Sequence, residues 1–419
     1  MPRHERHNQL NILYITYDGL LDPLGGSQIL PYIYGISSKG KSIHILSFEK
    51  KTKSKKELAF LKKKLNTQNI SWSYLSFTSK LGIIGKVFDL IRIYLYSFWL
   101  VLQKKINVIH ARGHTTAEAG ILLKRIFKVN LIFDFRGFWV DERVDKGGWD
   151  MKNLLHRLQY RYYKDKERIL LKGCDKLVVL TEAVIPEVIR LGSISRKKIT
   201  VIPCCADYNH FKLAKNLQRN KTRSSLGLPA NAIVLGYLGS IGKMYRPDLF
   251  IKFIEMAIKG NKSIYGLVIT QDKARFNALA NKIYPKSISN RIIVVSGNRD
   301  EMPDLIASMS ILIAFYNITY AKVSMSPTKI AEAFAVGIPV ICNSGVGDTD
   351  ELVKRVKGGF IIREINQRTL SETLNKLESI NKQGGKRLRE ESRIFFGLEH
   401  ALKLYNKVYN EIGLKVSIK

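Results

Sequence analysis

SMSPTKIAEAFAVGIPVICNS, residues Ser324–Ser344, turns from a helical pattern to a strand within a few residues and carries only two charged side chains, Lys329 and Glu332. Ser326 is in place to cap a helix and Pro327 suits its first position, where no N–H is needed. Gly337 followed by Pro339 closes that helix, and the apolar run that follows reads as a buried strand. Glu332 in the opening turns suits the helix dipole. Lys329 does not, because a cation beside free N–H groups is repelled unless an anion docks there. Two readings stand: an anion site at the helix start, or a Lys329–Glu332 pair three residues apart on the helix surface.

The same alternation runs along the chain. NILYITY, SIHILSF, WSYLSF, NVIHAR, VNLIFDF, KLVVLT and ITVIP lie in the first half; AIVLGYLGS, SIYGLVIT, RIIVVSG, ILIAFY, IPVICNS and GGFIIR lie in the second. Short apolar runs alternating with helical patterns predict parallel sheets covered on both faces, hence an α/β chain of two doubly wound, Rossmann-like domains. The polar stretch DYNHFKLAKNLQRNKTRSSLGLPAN, Asp207–Asn231, reads as the linker. Ligands of such sheets bind at the carboxyl ends of the strands, which directs attention to a central cleft between the domains.

The chain has 419 residues, 45% of them hydrophobic, and its 69 Lys and Arg against 35 Asp and Glu give a formal net charge of +34. That composition excludes a disordered chain and points to a polyanionic partner: nucleic acid, phosphorylated substrates or an anionic membrane. Cys204 and Cys205 are adjacent and the other two cysteines stand far apart, a pattern of neither metal site nor disulfide framework, which fits a reducing cytoplasm. The opening MPRHERHNQL lacks the apolar core of a signal peptide. Leu81–Leu102 is long enough to span a bilayer, but Lys86, Asp89 and Arg92 fall inside it. Leu81, Ile84, Phe88, Ile91, Leu95, Phe98 and Leu102 recur at helical spacing, which predicts a sheet-covering helix or one lying at a lipid interface with Trp99. Eight lysines in Glu49–Leu65 make either a solvated face or, near that helix, a membrane-facing surface.

Four loops carry candidate chemistry. After the first strand, Gly25 and Gly26 precede a helix starting at Ser27, letting backbone N–H groups approach an anion; a ligand-free tight turn is the alternative. After the fifth strand, Arg136, Asp141, Glu142 and Arg143 share a loop with Phe138, Trp139 and Trp149, reading as a sugar- or phosphate-binding wall or as a self-satisfied ion network. His110, Arg112 and His114 close another strand, where a histidine is more often structural. In the second half, Gly239–Asp248 repeats the glycine turn, with Lys243 and Arg246 able to neutralise a diphosphate. Asp348 and Asp350 read as a helix start ahead of a metal site. No Ser/His/Asp or Cys/His nucleophile spacing is present.

Together, PLGGSQ, FDFRGFWVDE, YLGSIGKMY and SPTKIAEAFAVGIPVICNSGVGD resemble the family 4 glycosyltransferases of the GT-B fold, across nearly the whole chain. Glu332, Ala333, Gly337, Pro339 and Val340 match the family's donor-site helix. Ser324 stands where its first glutamate lies, Ser240 where an arginine follows the second-domain glycine, and Arg136 where a histidine follows the fifth strand. The resemblance implies an acceptor-binding domain over 1–205, a nucleotide-sugar-binding domain over 206–393, and a last helix, 394–419, that crosses back onto the first domain. It implies that Glu332 holds the donor ribose and that Gly239, Ser240, Ser324, Ser326 and Thr328 line the donor site. Lys329, Arg136 and Lys243 then stabilise the departing diphosphate, and Gly25, Gly26, Ser27, Asp141 and Glu142 face the acceptor. The expected activity is retaining transfer from a nucleotide-diphosphate sugar to a glycan or lipid-linked acceptor at the inner face of the cell membrane. Neither cofactor, metal nor specific nucleic acid is expected. A nucleotide-sugar epimerase of the same fold, or a non-catalytic membrane- or polyanion-binding module, are the alternatives.

Overall fold

Each uninterrupted apolar run becomes a parallel strand, because a strand covered by helices on both faces has no side left for polar residues. The computed structural model describes residues 9–37, 41–78, 82–213, 215–283 and 286–417. Residues 1–8 and Leu81, both of which entered the sequence reading, lie outside them. Contacts divide the chain into two units: Met1–Glu142, Trp149–Ile202 and Ala401–Lys419 form one, Arg143–Gly148 and Pro203–His400 the other.

The first unit holds β1 (Leu10–Thr16), β2 (Lys41–Glu49), β3 (Ile70–Ser76), β4 (Val108–Arg112), β5 (Asn130–Asp134), β6 (Lys176–Val179) and β7 (Ile199–Val201), in the order β3-β2-β1-β4-β5-β6-β7. Its helices are α1 (Pro23–Gln28), α2 (Leu30–Ile36), α3 (Lys55–Asn66), α4 (Gly82–Gln103), α5 (His114–Phe127), α6 (Trp139–Asp145, of which Arg143–Asp145 count with the second unit), α7 (Leu154–Gly173) and α8 (Ile185–Gly192). The second unit opens with α9 (Asn216–Ser225). Its sheet takes β8 (Ile233–Leu238), β9 (Ile264–Ile269), β10 (Ile292–Val295), β11 (Ile311–Ala314), β12 (Val340–Asn343) and β13 (Gly359–Ile362) in the order β10-β9-β8-β11-β12-β13. Between and after them run α10 (Pro247–Gly260), α11 (Lys273–Ala280), α12 (Met302–Ala307), α13 (Thr328–Ala335), α14 (Thr349–Arg355), α15 (Gln367–Leu374), α16 (Leu377–Asn381) and α17 (Lys386–Phe396); α18 (Leu398–Ser417) follows and from Ala401 on belongs to the first unit.

Both sheets reverse direction beside their first strand, the switch point where open α/β sheets bind ligands. The reversal also sorts the first unit's helices. His110 and Ala111 are neighbours on β4 and point to opposite faces. His110 meets Tyr409 of α18, whose Leu402 packs where Gly35 of α2 leaves no room for a Cβ. Lys64 of α3 lies 5.6 Å over the Tyr34 ring of α2, so α2, α3 and α18 share that face. Ala111 lies beneath Gly120 of α5 on the other face, and Phe98 of α4 meets Phe127 of α5 at 4.9 Å.

Two expectations change. The stretch read as a linker folds into the second unit: Tyr208 and Phe211 are fully buried and Arg223 of α9 donates to the carbonyls of Ser308, Ala230 and Ala232. Polar composition hid three anchoring side chains. On α4, Ile93, Ser97 and Leu100 face the sheet while Phe88, Ile91, Leu95, Phe98 and Leu102 are exposed. The stripe is real, but it points outward, and α3 with its lysines lies on the far face of the sheet.

Candidate active site

In the second unit α13 begins at Thr328, with Pro327 at the capping position, one residue later than the sequence reading placed it. Ser326 caps nothing there; its hydroxyl accepts the N–H of Cys204 at 3.1 Å. Ser324 is buried and donates to the carbonyl of Ala321 at 2.8 Å. Gly337 ends the helix at φ +82, and a Cβ there would meet the Gly385 carbonyl at 2.9 Å.

Lys329 is partly exposed as a residue, yet its ammonium is ringed by aromatic faces: the centroids of Tyr245, Tyr237 and Tyr316 lie 4.1, 5.4 and 5.5 Å away. These rings come from β8, the loop after it and the end of β11, the two central strands. Asn343 holds Tyr316 by its backbone, accepting at 2.8 Å and donating at 3.2 Å. Gly239, at φ +134, closes the remaining side: a Cβ there would stand 3.1 Å from Nζ. Cation–π attraction is weaker than an ion pair, and burial pushes the amine down from 10.5 to about 7 against a smaller opposing pull from Glu332.

Glu332 does not pair with Lys329. Its carboxylate accepts from Arg299 at 3.0 Å, and burial pushes its pKa up despite that guanidinium. The surface-pair reading therefore fails on both counts: Glu332 is buried, and among the described residues no ion pair reaches Lys329. A desolvated cation beside a helix start and a glycine turn is an anion receptor in form.

Around it, Ser240 is exposed and its carbonyl accepts from the Tyr237 hydroxyl at 2.7 Å. Lys243 is exposed too, with Nζ 2.8 Å from where a Gly147 Cβ would stand. Arg246 forks onto Asp248 at 2.7 and 2.9 Å, so its charge is already matched. A concavity of about 590 Å3 adjoins this loop, lined in part by Asp145, Lys243, Tyr245, Arg246, Arg275 and Lys282. Asp348 occupies the capping position of α14, and Asp350 accepts from the Ser344 hydroxyl.

In the first unit α1 already starts at Pro23, so Gly25, Gly26 and Ser27 lie inside the helix instead of ahead of it. Gly25 is there for packing, since a Cβ would fall 2.2 Å from the Gly19 carbonyl, whereas Gly26 has open space. The preceding turn is held by Glu49, at the end of β2, which accepts the N–H groups of Leu20 at 2.7 Å and Leu21 at 3.3 Å. Arg136 follows β5, 3.4 Å from Asp134. Burial alone would raise Asp134, but Arg136, the His110 imidazole 3.6 Å away and Arg112 hold it well below the ordinary carboxylate range. His110 bonds Tyr409 at 2.5 Å and Tyr405 donates to Asp134 at 3.3 Å, a structural role for that histidine. His114 pairs with Glu167 at 2.9 Å; Lys164 then links Glu167 to Asp141, which also accepts from Tyr160 at 2.8 Å. Glu142 is half-buried on the same helix.

Two family models match. Residues 40–210 match Glycosyltransferase Family 4, and residues 218–394 match Glycosyl transferases group 1. The chain belongs to the family 4 glycosyltransferases of the GT-B fold. It is a transferase enzyme. Among solved structures, this glycosyltransferase is similar to Anabaena Alr3699/HepE in complex with UDP and glucose, at 15% identity over 96% of this chain and 99% of that one, with a TM-score of 0.68. Thermosynechococcus elongatus sucrose-phosphate synthase gives 13% identity, 96% and 99% coverage and a TM-score of 0.70. WaaG, a glycosyltransferase involved in lipopolysaccharide biosynthesis, gives 16%, 94% and 98%, and 0.67. No curated protein matches the chain.

The glycosyltransferase's sequence brought Lys329, Glu332 and Gly239 to attention, and the fold brings Lys329 and Gly239 together. It did not bring Arg299, the partner of Glu332, which sits 33 positions away in the loop after β10. Nor did it bring Glu49 or the three tyrosines. The only signal for them is position: each follows or ends an apolar strand, at the edge where ligands bind.

Proposed function

We propose that this glycosyltransferase is a retaining, metal-independent enzyme that moves a sugar from a nucleotide-diphosphate donor to a glycan or lipid-linked acceptor, at the inner face of a cell membrane, in cell-surface polysaccharide or glycolipid assembly. The carrying observation is Lys329: an ammonium with aromatic walls and no ion-paired carboxylate among the described residues, beside the Gly239 turn and the start of α13. A diphosphate supplies the missing charge. Support for a uridine nucleotide comes from the Anabaena neighbour, solved with UDP and with UDP-glucose.

In this reading Glu332 accepts from the ribose hydroxyls. Gly239, Ser240, Ser324, Ser326 and Thr328 shape the donor site. The bond between the anomeric carbon and the diphosphate oxygen breaks, the acceptor oxygen bonds the same face of that carbon, and the acceptor proton passes to the departing phosphate. Charge grows on the diphosphate, so preorganised cations lower the barrier. Lys329 and Lys243 of the second unit and Arg136 of the first are assigned that role. Gly25, Gly26, Ser27, Asp141 and Glu142 are assigned to the acceptor side.

The test is a screen of nucleotide diphosphates by thermal melting, followed by sugar release and transfer from the matching donor in chelator. A nucleotide present at about a hundred times its Kd adds about 2.7 kcal/mol of stability. One nucleotide class raising Tm, with transfer retaining the anomeric configuration by NMR, is the expected result. No protection by any nucleotide overturns the donor site; conversion of the sugar with no acceptor present moves the assignment to an epimerase.

A further inference from the structure

The surface made by α4, α5 and α7 is apolar where a solvent-facing layer is normally charged. Phe88, Ile91, Leu95 and Trp99 of α4 are 47–66% exposed, and Leu122 and Ile126 of α5 continue the surface. Leu155, Leu158 and Tyr162 of α7 extend it, with Leu155 68% exposed. The three helices form one layer, joined by Phe98 against Phe127 and by the ion pair of Lys166 with Glu118. Contiguous exposed apolar surface on this scale marks an interaction site.

Charge identifies what covers it. Exposed cations frame the layer: Lys104 and Lys105 after α4, Arg125 on α5, Arg157, Arg161 and Lys172 on α7. Its carboxylates are used or hidden: Asp89 and Glu167 are buried, Glu118 pairs with Lys166, and Asp165 pairs with Arg168 at 2.8 Å. Apolar and aromatic side chains rimmed by unopposed Lys and Arg match the acyl–headgroup boundary of an anionic bilayer. No helix of the described residues is long and apolar enough to cross a membrane.

We infer that the α4–α5–α7 face docks on an anionic lipid bilayer, with Leu95, Trp99, Leu155 and Leu158 entering the acyl boundary, and that the lysine-rich α3 faces away. This rests on the lipid-side acceptor proposed above, but it is read without any donor.

The experiment is sedimentation of the full chain with phosphatidylcholine vesicles that do or do not contain phosphatidylglycerol, with tryptophan emission and light scattering in parallel. The variants are Leu95→Ser with Trp99→Ser, Leu155→Ser with Leu158→Ser, and Lys62, Lys63 and Lys64 all to Ser. Binding to anionic vesicles, a blue shift that Trp99→Ser removes, and residual binding at about 0.5 M salt are expected, since insertion is not screened. Each apolar pair should lose about tenfold or more in affinity at unchanged Tm, because burying two such side chains is worth more than one decade. The α3 variant should bind within about threefold of the parent at physiological salt, where charges on the far side of the sheet are more than a screening length from the lipid. Loss of binding in the α3 variant alone overturns the orientation. A dimer in solution that the apolar variants dissociate, with vesicles ignored, overturns the partner and makes the face a contact between two copies. Nucleotide-dependent melting, measured on the same variants, reports the donor site separately from docking.

Discussion

Glu332 accepts from Arg299 at 3.0 Å, and in doing so leaves Lys329, three residues earlier on the same helix, with tyrosine rings for neighbours and no ion pair among the described residues. The two charges of this quiet helix are thus divided between a closed pair and an open cation, and only the open one is poised for an anion.

Lys329→Ala should lower kcat about a hundredfold, because losing one preorganised donor to a developing oxyanion costs roughly 3 kcal/mol. Steady-state kinetics with the matching donor, beside nucleotide-diphosphate binding, measures it. Unchanged turnover and unchanged binding would remove the basis for the donor site.

The same lysine predicts a pH dependence. Its folded value of about 7 lies below the ordinary 10.5. Below pH 7 it is charged in both folded and unfolded chains, and the cost of enclosing the charge is fully present. Between these values the unfolded chain binds more protons, so stability rises with pH across that window. Lys329→Met should flatten this rise in thermal melts. Nucleotide binding, which needs the charged form, should weaken above about pH 7 and take up a proton, seen as a buffer-dependent calorimetric heat.

Glu332→Gln keeps size but removes the charge that Arg299 faces. Nucleotide affinity should drop, and stability should fall by about 1–3 kcal/mol as a largely buried charged hydrogen bond is lost. Arg299→Met alone should also lower stability, and the double variant should cost less than the sum of the two, the signature of a direct pair. Strict additivity in urea melts would show that the pair is not coupled.

Gly25→Ala and Gly26→Ala separate packing from approach. The first places a methyl 2.2 Å from a backbone oxygen and should destabilise by about 1–3 kcal/mol or more. The second meets nothing within 4 Å at a helical position, so melting should hold or rise slightly. A loss of turnover in Gly26→Ala without a loss of Tm would then locate the acceptor at α1; full turnover would remove Gly26 from the site.

Turnover should survive a chelator with no divalent ion added. Asp350→Asn should cost stability before it costs the chemical step, because Asp350 accepts from Ser344 at the start of α14. Activity restored only by magnesium or manganese would require a metal-bridged diphosphate instead.

The thirteen strands of the described residues were legible, since a strand covered by helices on both faces leaves a short apolar run. What periodicity could not say is which side a stripe faces. Around α4 nearly every position is apolar, so the sheet-facing set of Ile93, Ser97 and Leu100 is less hydrophobic by letter than the exposed Phe88, Ile91 and Leu95. Lys329 was legible as an anomaly because it violates a local rule at a helix start. Arg299 was not, because a pair made across the fold leaves no trace in spacing. Ser326 looked like a cap, but its hydroxyl accepts the N–H of Cys204, a partner 122 positions upstream.

The return of α18 to the first unit sets an order of assembly on the ribosome. His110 and Asp134, buried in the centre of the first sheet, find their phenolic partners in Tyr409 and Tyr405. Lys41 and Lys176 likewise wait for Asn406 and Glu411. Until those last turns have been translated, β2, β4, β5 and β6 carry an uncovered polar seam. The half of the molecule made first is therefore among the last to close, and a chain stopped at His400 should emerge with its first sheet open and sticky while the second is already folded.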